Sequence, residues 1–134
     1  MSSGIVVLDA GAVERLTDSH DAQAALGAAA RRGWVFAIPT VVLAECLTGT
    51  ERDAKANRLI KKLGTVQTTE SIARTAAHLR HGVERVGRQR VPSAVDAIVA
   101  AHAIHLDAEA IVTTDVTDLR RLLANRPDIG VERA

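Results

Sequence analysis

Short apolar runs alternate along this chain with longer stretches in which apolar residues recur at helical spacing. The run Ile5–Leu8 is continuous and β-branched, which is typical of a parallel strand that is buried on both faces. Further strands are predicted at Trp34–Ile38, Thr65–Thr68 and Ala110–Thr113, with an edge strand at Ile129–Glu132. Because strands and helices alternate, the pattern predicts an α/β fold with a mostly parallel central sheet of four to five strands.

Capping and breaking residues mark the predicted helices. Ser93 follows Pro92 and can cap a helix that runs from Ala94 to about Leu106. Pro39 fits the first position of another helix. The full set of predicted helices is Asp21–Arg32, Pro39 through Leu47 to Gly49, Arg52–Leu63, Thr69 to about Val86 before a break at Gly87, Ala94–Leu106, and the short LRRLL segment after Asp118.

Composition narrows the class of protein. The chain has 134 residues and a formal net charge of +1, so residues 1–134 are expected to form one domain without strong overall electrostatic steering. Cys46 is the only cysteine, which excludes an intrachain disulfide and favours a reducing compartment. No apolar run approaches the ~20 residues of a membrane-spanning helix, and the N-terminal segment lacks a basic region. We therefore expect a cytoplasmic protein that has no membrane association.

Four acidic residues stand out because each is the only charge in an apolar stretch. They are Asp9 after GIVVL, Glu45 within VVLAECL, Asp96 within AVDAIVAAHAI and Asp115 after IVTT. Asp9 and Asp115 directly follow predicted strands, while Glu45 and Asp96 lie early in the helices that follow other strands. Because ligand sites in parallel sheets form at the carboxyl ends of the strands, this topology allows all four to meet at one edge.

A shared acidic site would require a counter-ion. Two carboxylates ~4 Å apart repel each other by ~4 kcal/mol at an effective dielectric constant near 20. Oxygen ligands favour Mg²⁺ or Mn²⁺ over zinc, and such ions can activate water for attack on a phosphodiester. Each acid alone also has a simpler interpretation, as a helix cap or turn residue for Asp9 and Asp115, or as a solvent-facing helix position for Glu45 and Asp96.

Other polar residues carry weaker signals. Asp118 is predicted mainly to cap the LRRLL helix, with a ligand role as the alternative. His102 and His105 are spaced like a zinc pair, but at ~100° per residue they point away from Asp96 and are predicted to be surface residues. A group of arginines that precedes Asp96 could contact RNA phosphates or simply form a solvated helix end. These arginines are Arg80, Arg85, Arg88 and Arg90.

Four segments together resemble the acidic motifs of PIN-domain nucleases, in particular the VapC-type toxins of bacterial toxin–antitoxin pairs. The segments are VLDAGAVERL, IPTVVLAECLTG, PSAVDAIVAAHAI and IVTTDVTDLRRL. The resemblance implies a three-layer α/β/α fold with four metal-binding carboxylates. By position these are Asp9, Glu45, Asp96 and Asp115. Thr114 matches a frequent Ser/Thr that positions the metal or its water, and Asp118 matches an acid of less uniform role.

The same resemblance implies an activity and partners. It implies a Mg²⁺-dependent endoribonuclease, with Mn²⁺ as a substitute, that acts on tRNA or rRNA as a homodimer. A VapB-type antitoxin would neutralise it by covering the acidic site. The apolar faces of the helices in Pro39–Leu63 and Thr69–Val86 also predict a homodimer.

One position departs from the family pattern. Gly11 stands where the family often has Ser or Thr, so a hydroxyl is missing from the first motif. Gly11 also argues against a haloacid-dehalogenase-like phosphatase, which usually has a second aspartate there. The remaining alternative is a weak or inert PIN module that acts only as a protein-binding partner.

Overall fold

The computed structural model describes residues 4–86 and 90–134, with backbone only for residues 84–86. Its strands are β1 (Ile5–Leu8), β2 (Val35–Pro39), β3 (Thr65–Val66), β4 (Ala110–Thr113) and β5 (Gly130–Arg133). Its helices are α1 (Ala10–Asp18), α2 (His20–Arg31), α3 (Leu43–Cys46), α4 (Ala54–Leu63), α5 (Glu70–Val86), α6 (Ala94–His105) and α7 (Val116–Leu122). Two 3-10 turns, Thr40–Val42 and Glu51–Asp53, precede α3 and α4.

The five strands form one sheet in the order β3-β2-β1-β4-β5, and every pairing is parallel. β1 lies at the centre, where Val6 pairs with Phe36 of β2 and with Ala110 of β4. Val7 and Leu8 are almost completely buried, which explains why β1 is a continuous apolar run rather than an alternating one. The predicted α/β fold and its parallel sheet are confirmed.

Helices cover both faces of the sheet and give three layers. α1 packs against α2, α3 and α4 on one face, and α5 packs against α6 and α7 on the other. α6 also packs on β1 and β4. Its alanine-rich sequence lets it approach the sheet closely, and Ala97, Ala100, Ala101 and Ala103 are completely buried.

The strand order reverses direction between β1 and β4. From β1 the chain builds β2 and β3 on one side, and it then crosses to β4 on the other side of β1. In open parallel sheets the crevice at the carboxyl ends of two such strands is where ligands bind. Asp9 and Asp115 lie directly at this crevice, because they follow β1 and β4 within one or two residues.

Helix α1 is absent from the elements predicted by the apolar pattern. It has only nine residues, and its buried face consists of three of them, Ala12, Val13 and Leu16. The helix begins at Asp9, whose side chain caps it by accepting a hydrogen bond from the backbone N–H of Ala12. The signal for α1 was therefore the capping acid rather than the hydrophobic period.

The predicted helix from Pro39 to Gly49 is wrong in both start and length. Pro39 is the last residue of β2 and pairs with Val66, so the helical backbone starts only at the following 3-10 turn. α3 then ends after one turn, because Leu47 adopts an extended conformation. The predicted break at Gly87 lies outside the described residues.

His102 is fully buried, so its predicted surface position is wrong. The helical angle correctly directs it away from Asp96, but that side of α6 faces α5 rather than solvent. Its Nε2 lies 2.8 Å from the Thr68 hydroxyl oxygen, and its Nδ1 has no partner among the described residues. His105 is exposed as predicted. The buried histidine is part of the α5–α6 interface and not of a zinc pair with His105.

Hydropathy agrees with this architecture. Within residues 4–86 and 90–134, no helix combines the length and the apolar character that crossing a membrane would require.

Candidate metal-binding active site

The ends of β1 and β4 hold two aspartates in fixed positions. The backbone N–H of Asp9 donates to the carbonyl of Val112, which ties the end of β1 to β4. Oδ1 of Asp9 accepts a hydrogen bond of 2.9 Å from the N–H of Ala12. Asp115 caps α7 by accepting from the N–H of Asp118 at 3.4 Å. Each aspartate is therefore positioned by the helix that it begins.

The hydroxyl of Thr113 joins the two aspartates. Its Oγ1 donates to Oδ2 of Asp9 and accepts a hydrogen bond of 2.8 Å from the backbone N–H of Asp115. Thr113 is completely buried. The family motif predicts a hydroxyl role for Thr114 and gives no role to Thr113. The available signal was a hydroxyl on the last residue of a strand, two positions before an isolated acid.

Three carboxylates meet in the crevice. One oxygen from each of three aspartates lies within 4.8 Å of the others, and we call this group the acidic cluster; its members are Asp96, Asp115 and Asp118. Asp96 lies in the first turn of α6, where its N–H donates to the hydroxyl of Ser93 at 3.1 Å. The predicted cap at Ser93 thus sets the position of Asp96.

Electrostatics disfavours full ionisation of this site. The pKa of Asp96 is raised to about 6, mainly by burial and then by the negative charge of Asp115, with smaller contributions from Asp9 and Asp118. The pKa of Asp9 is also raised, mainly by burial, although the hydrogen bonds from Thr113 and Ala12 oppose this shift. Both shifts are typical of carboxylates that share a site and need a counter-charge.

The donor atoms of the acidic cluster fit a hard divalent cation. Carboxylate oxygens are the ligands that Mg²⁺ and Mn²⁺ prefer, and no histidine or cysteine belongs to the cluster of described residues. A bound divalent cation would favour the ionised form of Asp96 and so remove the energetic cost of ionising it. The chemistry of this donor set therefore supports a divalent metal, as the sequence predicted.

Asp118 does not cap the LRRLL helix as predicted. α7 begins at Val116, one turn earlier, so Asp115 is the cap and Asp118 lies in the first turn with its side chain turned into the crevice. It is buried, and Arg121 Nη1 donates to its Oδ1 at 3.2 Å. Arg90 Nη2 lies 3.6 Å from its other oxygen. Asp118 therefore belongs to the acidic cluster and also contacts two arginine side chains, Arg121 and Arg90, at the edge of the cluster.

Glu45 lies apart from the acidic cluster. It is exposed on α3, and none of the hydrogen bonds or salt bridges among the described residues involves it. The structure thus brings together Asp9, Asp96 and Asp115, and adds Asp118. A metal-binding role for Glu45 stays a prediction from the motif.

The side chain of Thr114 occupies the space that a side chain at position 11 would need. A Cβ on Gly11 would lie 2.8 Å from Cβ of Thr114 and closer still to its hydroxyl oxygen, whereas real Cβ contacts are essentially never below 3.0 Å. The missing side chain in the first motif is therefore a structural requirement of this chain. The absence of a side chain at Gly11 allows the turn after β4 to approach α1, with the hydroxyl of Thr114 beside the first turn of α1.

The four predicted RNA-binding arginines have different settings. Arg80 is half-buried, and its Nε donates to the carbonyl of Pro92 at 3.0 Å, which anchors the segment before α6. Arg90 is exposed beside the acidic cluster. The side chain of Arg85 and the whole of Arg88 lie outside the described residues. Phosphate binding by these arginines stays a prediction.

The fold and the acidic crevice define a class of α/β protein, and the sequence identifies the family. Residues 6–122 match the PIN domain, so the chain belongs to the PIN-domain family, as its motifs predicted. Members of this family are nucleases, and membership implies a nuclease role. No curated protein matches the sequence significantly.

Solved structures of proteins bound to DNA share the fold. A chain of VapBC2 from Rickettsia felis, bound to a promoter DNA fragment, has a TM-score of 0.77 at 20% identity and covers 97% of this chain and 98% of its own. A chain of DNA-bound VapBC from Salmonella typhimurium has a TM-score of 0.72 at 19% identity, with coverages of 99% and 98%. A chain of FitAB bound to the IR36 DNA fragment has a TM-score of 0.69 at 17% identity, with coverages of 96% and 94%.

The raised pKa of Asp96 predicts a stability effect of Asp96→Asn in the metal-free protein. Since the folded-state pKa of about 6 exceeds the ordinary value of 3.8, Asp96 costs the folded protein nothing below pH 3.8, and the protein loses stability as the pH rises through 6 and Asp96 ionises. The free energy of unfolding of the variant should therefore exceed that of the wild type by about 1–2 kcal/mol at pH 8, and the two should be almost equal near pH 4. Urea denaturation with a chelator measures this difference.

The matched control is Glu109→Gln, which removes an exposed acid at the opposite edge of the sheet. This control should be neutral at both pH values. A variant Asp96→Asn that gains no stability at pH 8, or gains more at pH 4 than at pH 8, would contradict the electrostatic account of the cluster.

Gly11 and Thr114 should be coupled in a double-mutant cycle. Gly11→Ser alone should lower the free energy of unfolding by about 1–3 kcal/mol, because the new Cβ overlaps Thr114. Thr114→Gly should relieve this overlap, so the double variant should be more stable than the sum of the two single effects requires. Thermal unfolding of the four proteins checks the cycle, and strict additivity would exclude the steric explanation.

Proposed function

We propose that this chain is a metal-dependent endoribonuclease and the toxin component of a VapBC-type toxin–antitoxin pair. The observation that carries the proposal is the convergence of Asp96, Asp115 and Asp118, with Asp9 beside them, at the β1–β4 crevice. The PIN-domain match supports a nuclease, and the four-motif resemblance supports RNA as the substrate.

The proposed metal is Mg²⁺, with Mn²⁺ as a substitute, held by the acidic cluster together with Asp9. When bound, such an ion lowers the pKa of a water molecule and stabilises negative charge on the phosphate. One carboxylate oxygen of Asp9 accepts a hydrogen bond from the N–H of Ala12, and the other accepts one from the hydroxyl of Thr113. The orientation of Asp9 is therefore fixed before any ligand enters. The net reaction adds one water across a phosphodiester. The water oxygen bonds to phosphorus, one P–O bond to ribose breaks, and the departing oxygen takes a proton.

The hydroxyl of Thr114 is placed to assist this reaction. Thr114 is an exposed residue between Thr113 and Asp115, and its hydroxyl lies beside Gly11, which leaves room for it. We propose that it orients a water or a phosphate oxygen, in place of the hydroxyl missing at position 11. Glu45 remains a proposed fourth carboxylate of the family motif, to be tested separately.

A VapB-type antitoxin is the proposed partner. Structures described as VapBC and FitAB complexes have the same fold over almost the whole chain. A segment of the antitoxin that covers the acidic crevice would block access of RNA to the carboxylates. The proposed setting is cytoplasmic, where tRNA or rRNA would be the target.

A homodimer is proposed as well, on the resemblance alone. The apolar faces in residues 39–63 and 69–86 give it little support, because Val35 is the only large hydrophobic residue that is strongly exposed in the part of the chain that is described. The alternative function, an inert PIN module that binds only a protein, is disfavoured because such a module does not require an acidic cluster with disfavoured ionisation.

RNA cleavage tests the proposal. Purified protein with Mg²⁺ should cleave a bulk tRNA or rRNA preparation, and a chelator should stop it. Asp96→Asn and Asp115→Asn should each reduce the cleavage rate at least 100-fold, a loss of about 3 kcal/mol in transition-state stabilisation. Gel electrophoresis of end-labelled RNA measures the rate.

Glu109→Gln serves as the control and should cleave like the wild type. Glu45→Gln forms a separate arm, and a loss comparable to that of Asp96→Asn would place Glu45 in the functional site. Wild-type cleavage by either aspartate variant would refute the assignment of these residues. Metal-stabilised protein without cleavage of any RNA would instead favour the inert module.

A further inference from the structure

Arg121 connects helix α7 to the segment that leads into α6. Its Nη1 donates to the backbone carbonyl of Arg90 at 2.7 Å and to Oδ1 of Asp118 at 3.2 Å. The side chain of Arg121 is only 21% exposed, so this guanidinium is a structural clamp. It fixes the backbone at position 90 relative to the acidic cluster.

Arg90 is held by the same carboxylate but faces solvent. Its Nη2 lies 3.6 Å from Oδ2 of Asp118, whereas its side chain is 86% exposed. Asp118 itself is buried and lies within 4.8 Å of Asp96 and Asp115. A single contact therefore separates a solvent-facing guanidinium from the carboxylates of the acidic cluster.

The surroundings of the acidic cluster create a need for such a cation. Asp9 and the three members of the cluster repel the phosphates of any nucleic acid that approaches the crevice. A guanidinium offers five N–H donors in a planar fork that matches phosphate oxygens, and it is always charged. The contact with Asp118 uses one nitrogen of Arg90, and the opposite side of the fork faces solvent.

We propose that Arg90 binds a phosphate of the RNA substrate at the edge of the acidic cluster, and that Asp118 and Arg121 are the residues that position it. Arg121 fixes the backbone of residue 90, and Asp118 holds the guanidinium near the cluster. The inference rests on the proposed ribonuclease function, but it assigns distinct roles. Asp118, besides its place in the acidic cluster, also acts through the two arginines, whereas Asp96 and Asp115 act on the metal alone.

RNA binding tests this assignment without requiring catalysis. The experiment measures binding of bulk tRNA to Asp96→Asn and to Asp96→Asn combined with Arg90→Ala, over a range of salt concentrations with Mg²⁺ present. Loss of Arg90 should weaken binding about three- to tenfold and should lower the slope of log K against log salt by about one charge. Arg90→Lys should restore the slope but only part of the affinity, because lysine lacks the fork.

The control is Arg120→Ala in the same background. Arg120 is an exposed arginine on α7 that makes none of the hydrogen bonds or salt bridges found among the described residues. Since Arg90 is so exposed, its removal should leave the melting temperature unchanged, which separates a binding role from a structural one. Arg121→Ala should weaken binding like Arg90→Ala and also lower the melting temperature.

Two outcomes overturn the inference. In the first, Arg90→Ala binds tRNA with the affinity and salt slope of Arg120→Ala. In the second, none of the proteins binds tRNA. A wild-type cleavage rate in Asp96→Asn would instead contradict the proposed function, so the two failures are distinguishable.

Discussion

The hydrogen bonds of the Thr113 hydroxyl are the constraint on which the site depends. They join the carboxylate after β1 to the backbone after β4, across the point where the strand order reverses. Asp9 and Asp115 also begin the helices that follow these strands, so the same two residues cap α1 and α7 and orient the crevice. The sheet, the helix starts and the acidic site are therefore one connected structure.

Negative charge exceeds positive charge in the site, and the positive charge lies on one side of it, beside Asp118. Arg121 and Arg90 offset the negative charge of Asp118. Asp96, Asp9 and Asp115 repel one another, and none of them has a basic partner among the described residues. Burial and mutual repulsion disfavour ionisation there, and a divalent cation would reverse this effect. The ionised carboxylates therefore lower the stability of the folded protein, and a bound cation would restore it. Strongly shifted pKa values of this kind are typical of functional sites.

Much of this arrangement could be predicted from the sequence, because strand ends and caps are local signals. Asp9 and Asp115 directly follow apolar runs, and Ser93 fixes the start of the helix that carries Asp96. Other features depend on tertiary packing. The helical angle gives the direction of His102 but not the helix that covers it, and Thr113 acts only because β1 and β4 are neighbours. Likewise, the prediction that Asp118 caps the LRRLL helix was wrong, because α7 begins one turn earlier, with Asp115 as its cap.

The central claim is that the acidic cluster binds one divalent cation in the β1–β4 crevice. Anomalous diffraction from crystals of the protein grown with Mn²⁺ tests it directly. The account predicts an anomalous peak within about 2.5 Å of carboxylate oxygens of Asp96 and Asp115, and no such peak in crystals of Asp96→Asn. Full Mn²⁺ occupancy elsewhere with an empty crevice, or the same peak in the variant, would contradict it.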